Sequence, residues 1–237
     1  MNKVLIGVLG GVIGVAIAGT IGWNLMDGAS ANGDTVSAAP AVQIASASTK
    51  LIADPDWTFE PHPLDKVLGD ANAPVTLLDY SSLTCGHCAD FHTKTLPKVM
   101  EKYVDTGKIR FVFRDFPIGE LAMVAAVMPH CAGGEKYHGL LGLIFKGQTD
   151  WIRNKDPYGA LLGVARFAGL SEENVQTCLK DKALLTGLTE RASAAQKKYG
   201  FDSTPSFVLN GRKLIGNLPW EDFSKAIDDL LADAAKG

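Results

Sequence analysis

The sequence has no excess of positive charge. It contains 23 Lys and Arg residues against 26 Asp and Glu residues, which gives a formal net charge of −3 over 237 residues. No cluster of Lys and Arg of the kind that contacts nucleic acid interrupts the chain. We therefore expect no nucleic-acid partner.

Charged residues are missing from a long stretch near the N-terminus. After Lys3, the run from Val4 to Met26 contains none, and the next is Asp27. As a helix rising about 1.5 Å per residue, this run could cross a hydrocarbon core of about 30 Å. With Lys3 inside and Asp27 outside, the rest of the chain would lie on the far side of the membrane.

Residues 1–26 therefore predict an export segment of one of two kinds. An uncleaved signal anchor is favoured by the length of the run, since the apolar part of a signal peptide usually has about 7 to 15 residues. A cleaved signal peptide is favoured by Ala29-Ser30-Ala31, a small-residue cleavage site. Either way the protein would be periplasmic or otherwise extracytoplasmic, tethered to the inner membrane or released. Residues 27–56 predict a flexible linker because small and polar residues dominate them.

Cysteine is scarce, and only one pair of the four residues is close in sequence. Cys85 and Cys88 form a C-x-x-C motif. The segment before them, Val75–Tyr80, is apolar and β-branched like a buried strand, and apolar residues recur at helical spacing after them. The two cysteines therefore open a helix, which we expect to continue to Tyr103 with a kink at Pro97.

A helix N-terminus changes the chemistry of a thiol. Unpaired backbone N–H groups and the helix dipole favour the thiolate, and such cysteines have pKa values of roughly 3.5 to 7.5 instead of about 8.5. Cys85, nearer the exposed end, is the expected nucleophile, and Cys88 the resolving thiol. His87 can become charged and donate to the Cys85 sulfur, which would make the disulfide a stronger oxidant.

The sequence lacks the further ligands that would make this motif half of a zinc site. C-x-x-C also begins zinc fingers, and His92 lies four residues after Cys88, but no second C-x-x-C and no H-x-x-x-H follows. A purely structural disulfide across so short a loop would add little stability. We therefore expect redox chemistry without a metal or another cofactor, and surface or packing positions for His62, His92, His130 and His138.

The remaining patterns predict a second strand, a long helical segment, a hairpin and a last helix. Lys108–Phe116 alternates like a strand. Asn210-Gly211 between two apolar runs is the strongest short signal for a β-hairpin. Trp220–Ala234 has one apolar helix face. Between the second strand and the hairpin, helices are predicted at Leu121–Met128, Lys136–Phe145, Pro157–Ala168, Ser171–Lys180 and Ala183–Lys198.

This order of elements, with C-x-x-C at the first helix and Thr204-Pro205 before the third strand, resembles the thioredoxin superfamily. More closely it resembles the DsbA-like thiol:disulfide oxidoreductases, also in the segments Gly69–Val75 and Ser203–Phe207. The resemblance implies an α/β thioredoxin fold, β-α-β and then β-β-α around a central mixed sheet. It divides that fold into residues 57–118 and 199–237, with a helical domain inserted at residues 119–198.

The resemblance also implies roles for three residues outside the C-x-x-C motif. Pro205 is implied to be cis and to lie beside the active-site sulfurs. Thr204 is implied to present its backbone to a substrate peptide and its hydroxyl to Cys85. Asp79 matches a buried acid that would move protons to and from Cys88. The alternative for Asp79 is a partly solvated carboxylate at the end of a strand.

The other two cysteines, Cys131 and Cys178, fall in the helical segment and allow two interpretations. They could be free buried thiols, which pack as small apolar side chains. In an oxidising compartment we instead expect a structural disulfide that joins two helices and contributes on the order of 3 to 4 kcal/mol.

The leading functional hypothesis is an extracytoplasmic dithiol oxidase. It would introduce disulfides into exported polypeptides with free cysteines, and a DsbB-like membrane partner would reoxidise Cys85 and Cys88. A disulfide reductase or isomerase could use the same residues, but isomerases of this superfamily usually have a dimerisation domain, for which residues 28–64 are too short. This favours the oxidase, and we expect a monomer. The alternative of another class is a membrane-tethered metal- or peptide-binding module without turnover.

Overall fold

A computed structural model of the protein describes residues 56–236. The predicted signal anchor or signal peptide at residues 1–26, and the predicted linker up to residue 55, lie outside the described residues. Within the described part, no helix is long and apolar enough to span a membrane.

Five strands form one mixed sheet in the order β1-β3-β2-β4-β5. Strands β2 and β3 are parallel, whereas the pairs β1 and β3, β2 and β4, and β4 and β5 are antiparallel. The predicted α/β fold with a central mixed sheet is confirmed. The strands are β1 (Val67–Leu68), β2 (Val75–Ser81), β3 (Ile109–Asp115), β4 (Ser206–Leu209) and β5 (Arg212–Ile215).

Strand β2 is buried along its whole length because both faces of the sheet are covered. Its side chains alternate between two apolar clusters: Leu77 belongs to the cluster that contains Phe91, and Leu78 to the one that contains Phe201. The same alternation puts Asp79 and Ser81 on the Leu77 face. Two polar side chains thus enter the larger core from one strand.

The helical segment after the C-x-x-C motif continues to Val104, close to the predicted end, but it is not a regular α-helix. It consists of α1 (Gly86–Asp90), a π turn, α2 (Leu96–Val99) and a second π turn. Pro97 lies between the π turns and has no N–H to donate to the preceding turn. The structure thus has π turns on both sides of Pro97, and the predicted kink there remains a prediction.

Six helices lie between β3 and β4, one more than predicted. The additional helix, α5, has five residues, too few to show a helical period in the sequence. The division of the chain at residues 118 and 198 remains a prediction. The six helices are α3 (Glu120–Ala132), α4 (Lys136–Lys146), α5 (Gln148–Ile152), α6 (Pro157–Phe167), α7 (Glu172–Cys178) and α8 (Lys182–Tyr199).

The C-terminal part follows the sequence prediction closely. Asn210 and Gly211 have φ values of 44° and 84°, the two positive angles that a type I′ turn between β4 and β5 requires. The last helix, α9, covers Trp220–Ala234 and buries Phe223 and Ile227.

A buried group of charged residues joins the inserted helices to the sheet. From α8, Arg191 Nη2 donates to Asp115 Oδ2 at 2.5 Å, and Nη1 lies 3.4 Å from Asp65 Oδ1. Arg114 Nη2 donates to Asp65 Oδ2 at 2.7 Å, and His130 Nε2 donates to Asp115 Oδ2 at 2.9 Å. We call these five residues the charged cluster.

Candidate active site

The two cysteines of the C-x-x-C motif lie at the start of α1, where the sequence predicts them. Cys85 is the N-cap residue of α1, with extended backbone angles (φ −87°, ψ 122°), and it is half-buried. Cys88 lies in the helix and is fully buried. Both are free thiols in this structure. Only Cys85 therefore presents its sulfur to the surface.

The surroundings shift the pKa values of the two thiols in opposite directions. A hydrogen bond from the Cys88 thiol lowers the pKa of Cys85 to about 5, and the Thr204 side chain and the backbone N–H groups of Cys88 and His87 add to this shift. Burial raises the pKa of Cys88, and the hydrogen bond with Cys85 raises it further. At pH 7 the reduced site therefore holds one thiolate and one thiol.

Thr204 lies next to the active-site sulfurs, two residues before β4 begins. The Cys85 thiol donates to the Thr204 carbonyl oxygen at 3.3 Å. The Thr204 side chain also lowers the pKa values of both Cys85 and Cys88. The Thr204–Pro205 peptide bond is cis, the conformation that the resemblance implies. A residue far along the chain thus completes the surroundings of Cys85.

The contribution of His87 differs from the expected one. The sequence suggests that its imidazole donates to the Cys85 sulfur. In the structure the His87 side chain is exposed, and no hydrogen bond within residues 56–236 joins its imidazole to Cys85. His87 lowers the Cys85 pKa through its backbone N–H. The difference arises because the residue after Gly86 faces solvent on the first turn of α1.

Asp79 is fully buried, so the alternative of a partly solvated carboxylate is wrong. Its direct partners are two residues that the sequence analysis did not assign to the site. Ser81 Oγ donates to Asp79 Oδ1 at 2.5 Å, and His92 Nε2 donates to Asp79 Oδ2 at 2.7 Å. Ser81 also lowers the pKa of Cys88, against the larger effect of burial. The Asp79 carboxylate therefore lies in a buried polar group with Ser81 and His92.

This fold and this geometry match known proteins. A thioredoxin family model matches residues 62–229, more than half of the chain. The crystal structure of alpha-DsbA1 from Wolbachia pipientis has 32% sequence identity to this chain and a TM-score of 0.68, and the match covers 74% of this chain and 94% of that one. The chain belongs to the DsbA-like branch of the thioredoxin superfamily.

Two further proteins are similar to this chain, one in sequence and one in fold. A Rickettsia prowazekii protein with the provisional name protein-disulfide oxidoreductase is 30% identical over 180 residues, which are 76% of this DsbA-like chain and 66% of the relative. The chain thus spans about two thirds of that protein. BdbD from Bacillus subtilis has 22% identity and a TM-score of 0.62, covers 70% of this chain with 92% of its own, and supports the fold alone.

Three residues of this DsbA-like site were missed by sequence reasoning. Gln148, in the unpredicted helix α5, donates through Nε2 to the carbonyl oxygens of Leu83 at 2.8 Å and of Cys85 at 3.0 Å. Its segment carries no pattern that indicates this contact. Ser81 and His92 did have a signal, since they follow Asp79 and Cys88 at the strand and helix spacings that place side chains on one face.

The remaining cysteines and histidines lie outside the immediate surroundings of Cys85. Cys131 of α3 and Cys178 of α7 form a disulfide with an S–S distance of 2.01 Å, and its contribution to stability remains a prediction. His92 and His130 are each paired with a buried carboxylate. Among the residues that the structure describes, no group of three or more His, Cys, Asp and Glu side chains could hold a metal ion.

Removing Cys88 should raise the pKa of Cys85. The hydrogen bond from the Cys88 thiol is the largest cause of the lowered value, so we expect the Cys88→Ala variant to have a Cys85 pKa at least about one unit higher. The measurement is the pH dependence of alkylation by iodoacetamide, which should be half-maximal near pH 5 in the reduced unmodified chain. An unchanged midpoint in Cys88→Ala would assign the shift to the helix N-terminus and Thr204 instead.

Proposed function

We propose that this chain is an extracytoplasmic thiol:disulfide oxidase that introduces disulfides into exported polypeptides through Cys85 and Cys88. The lowered pKa of the Cys85 thiol is the observation that carries this proposal. A disulfide is a strong oxidant when its reduced form is stabilised. A site that stabilises the Cys85 thiolate stabilises that reduced form.

The sign of the pH dependence follows from the two shifts. The lowered pKa of Cys85 stabilises the reduced protein in full above the ordinary cysteine pKa of about 8.5, and this contribution disappears as the pH falls through about 5. Burial raises the pKa of Cys88 by disfavouring its thiolate, and because an ordinary thiol is already protonated at pH 7, this shift adds no stability to the reduced state there. At pH 7 the Cys85 contribution favours the reduced state, so oxidising power should weaken towards pH 5.

The reaction would proceed in two exchange steps that transfer two electrons from the substrate to the protein. A substrate thiolate attacks the Cys85 sulfur of the disulfide, the Cys85–Cys88 bond breaks, and Cys88 leaves and takes up a proton. A second substrate thiolate then attacks the substrate sulfur of the mixed disulfide. Cys85 leaves as its stable thiolate, and a leaving group of low pKa departs faster.

Two further features support assignments around the site. The Thr204 backbone, next to Pro205, is our candidate for contact with the substrate peptide, because its carbonyl oxygen lies 3.3 Å from the Cys85 sulfur. The apolar run at residues 4–26 supports an extracytoplasmic location and either a membrane tether or release after cleavage. A DsbB-like membrane protein is the reoxidant we propose, and a monomer the working form.

The equilibrium reduction potential of Cys85 and Cys88 in the full chain tests the proposal. Equilibration against glutathione at pH 7 should give a value near about −120 mV, the range of strong oxidants. Because the Cys131–Cys178 disulfide could add to the signal, the Cys131→Ser/Cys178→Ser variant is the matched control and should give the same value. A potential near about −270 mV would identify a reductant and reject the oxidase. Unreactive cysteines would favour the binding module without turnover.

A further inference from the structure

One side chain of the inserted helices lies directly against the turn that carries Cys85. Gln148, the first residue of α5, is only 5% exposed, and its Nε2 donates to the carbonyl oxygens of Leu83 at 2.8 Å and of Cys85 at 3.0 Å. Both partners are acceptors, so the amide nitrogen must be the atom that faces them. A single amide group thus holds two carbonyl groups of this turn.

The position of Gln148 is fixed by its own short helix. Trp151, three residues further along α5, is 2% exposed, and its Nε1 donates to the Ile144 carbonyl oxygen of α4 at 2.9 Å. The backbone N–H of Trp151 donates to the carbonyl oxygen of Gly147, the residue before Gln148, at 3.1 Å. A buried ring and its hydrogen bonds therefore tie α5 to the end of α4, which leaves Gln148 little freedom to move away from the turn.

The Leu83 carbonyl oxygen depends on Gln148 for its hydrogen bond. Leu83 is 2% exposed, and within residues 56–236 no other donor contacts this oxygen. The Cys85 carbonyl oxygen has a second donor, the backbone N–H of Ala89, at 3.1 Å in the first turn of α1. Because a buried carbonyl group without a partner is costly, loss of the Gln148 amide should shift the turn until Leu83 finds another donor.

The turn held by Gln148 sets the position of the Cys85 sulfur over α1. Cys85 is the N-cap residue, and the backbone N–H groups of His87 and Cys88 at the start of the helix favour its thiolate. The Cys85 carbonyl oxygen belongs to the same residue as the sulfur, so a donor on this oxygen offsets partial negative charge that opposes the thiolate. Both effects of Gln148 therefore favour the thiolate.

We propose that Gln148 is a positioning residue of the redox site, which holds the turn at residues 83–85 so that the start of α1 stabilises the Cys85 thiolate. It acts through the backbone of the turn, because its amide contacts the two carbonyl oxygens. A glutamate at this position, ionised at neutral pH, would offer the carbonyl oxygens no donor. One of the inserted helices thus contributes to the chemistry of a residue 63 positions earlier in the chain.

Uncharged groups have the largest effects on the Cys85 thiol, apart from burial. Within the described part of the chain they are the Cys88 thiol, the Thr204 side chain and two backbone N–H groups. Residues 82–84 of the turn have no titratable side chain. The other titratable side chains on α1 and α5 are exposed or half-buried: His87, Asp90 and Asp150. Backbone position is therefore the property through which a change at Gln148 would reach the Cys85 sulfur.

The inference needs only thiol–disulfide exchange at Cys85 and Cys88, and it holds for an oxidase or a reductase. Its test uses the full chain with Gln148→Met, which keeps the approximate length of the side chain and removes the amide. The pH midpoint of Cys85 alkylation by iodoacetamide should rise by about one unit, the size of the effect of one hydrogen bond. At pH 7 the equilibrium with glutathione should move about tenfold towards the disulfide form, which is about 30 mV for this two-electron couple.

A second variant separates hydrogen-bond donation from packing. Gln148→Glu keeps the shape of the side chain but places acceptors and a negative charge at the two carbonyl oxygens. The midpoint and the glutathione equilibrium should shift at least as far as in Gln148→Met. Folding of either variant is enough for the test, since each is compared with the unmodified chain. A folded variant with the unmodified midpoint and equilibrium would overturn the proposal and leave Gln148 as a packing residue.

The matched control is Gln176→Met. Gln176 is an exposed glutamine of α7 whose Nε2 donates to the Tyr158 hydroxyl at 2.5 Å. This variant should leave the midpoint and the glutathione equilibrium unchanged. If it shifts them as far as Gln148→Met does, the effect is not specific to the turn and the proposal is rejected. If the unmodified chain is a reductant, the proposed oxidase is rejected, whereas the difference between that chain and Gln148→Met still tests Gln148.

Discussion

The Cys85→Ser and Cys88→Ser variants should fail in opposite ways when the reduced proteins meet a disulfide-bonded peptide. In Cys88→Ser, the Cys85 thiolate attacks the peptide disulfide and expels one peptide thiolate. The covalent adduct then accumulates because no resolving thiol is present. In Cys85→Ser, adduct formation should fall by more than about 10²-fold, because an ordinary thiol is only about 3% thiolate at pH 7 and Cys88 is buried with a raised pKa.

The measurement is the amount of protein–peptide adduct by mass spectrometry without reductant. The matched control is the Cys131→Ser/Cys178→Ser variant, which removes the same type of residue away from Cys85 and should neither trap an adduct nor lose exchange. An adduct in Cys85→Ser with none in Cys88→Ser would reverse the roles of the two thiols. Trapping in both variants would show that neither sulfur is shielded, against the burial of Cys88.

The local part of this site could be predicted from the sequence because it depends on short-range periodicity. The apolar run before Cys85 and the helical spacing after Cys88 correctly placed the motif at the junction of a strand and a helix. The Asn210-Gly211 turn was predictable for a similar reason, since two positive φ angles select those residues. In each case the structure follows from residues that are neighbours in the chain.

Contacts between distant segments could not be predicted from periodicity. Thr204 reaches Cys85 across 119 positions, and only the family resemblance suggested the approach. Gln148 reaches the Cys85 carbonyl oxygen across 63 positions from a helix too short to show a pattern. His92 was expected only at the surface or in packing, because the rotation of its helix over β2, which brings it to Asp79, is a tertiary feature.

The charged cluster should contribute to stability. The Arg191→Leu variant should have a free energy of unfolding lower by about 3 to 5 kcal/mol. The side chain of Arg191 is only 3% exposed and lies between the buried carboxylates of Asp65 and Asp115. Leucine preserves apolar packing but leaves Asp115 with His130, and Asp65 with Arg114 and the backbone N–H of His62. The cost comes from buried negative charge that loses its partner. Urea unfolding should therefore show a lower midpoint with an unchanged slope.

Two comparisons separate this charge effect from a loss of packing. Arg166→Leu removes an arginine from α6 whose ion pair with Glu172 is 3.8 Å long and more than half exposed, so stability should change by less than about 1 kcal/mol. Adding Asp115→Asn to Arg191→Leu removes the unpaired carboxylate and should recover part of the loss, because neighbouring residues that share an interaction are not additive. If Asp115→Asn lowers the free energy of unfolding by the same amount in the unmodified chain and in Arg191→Leu, the two residues are not coupled. The inserted helices would then be held on the sheet by apolar packing.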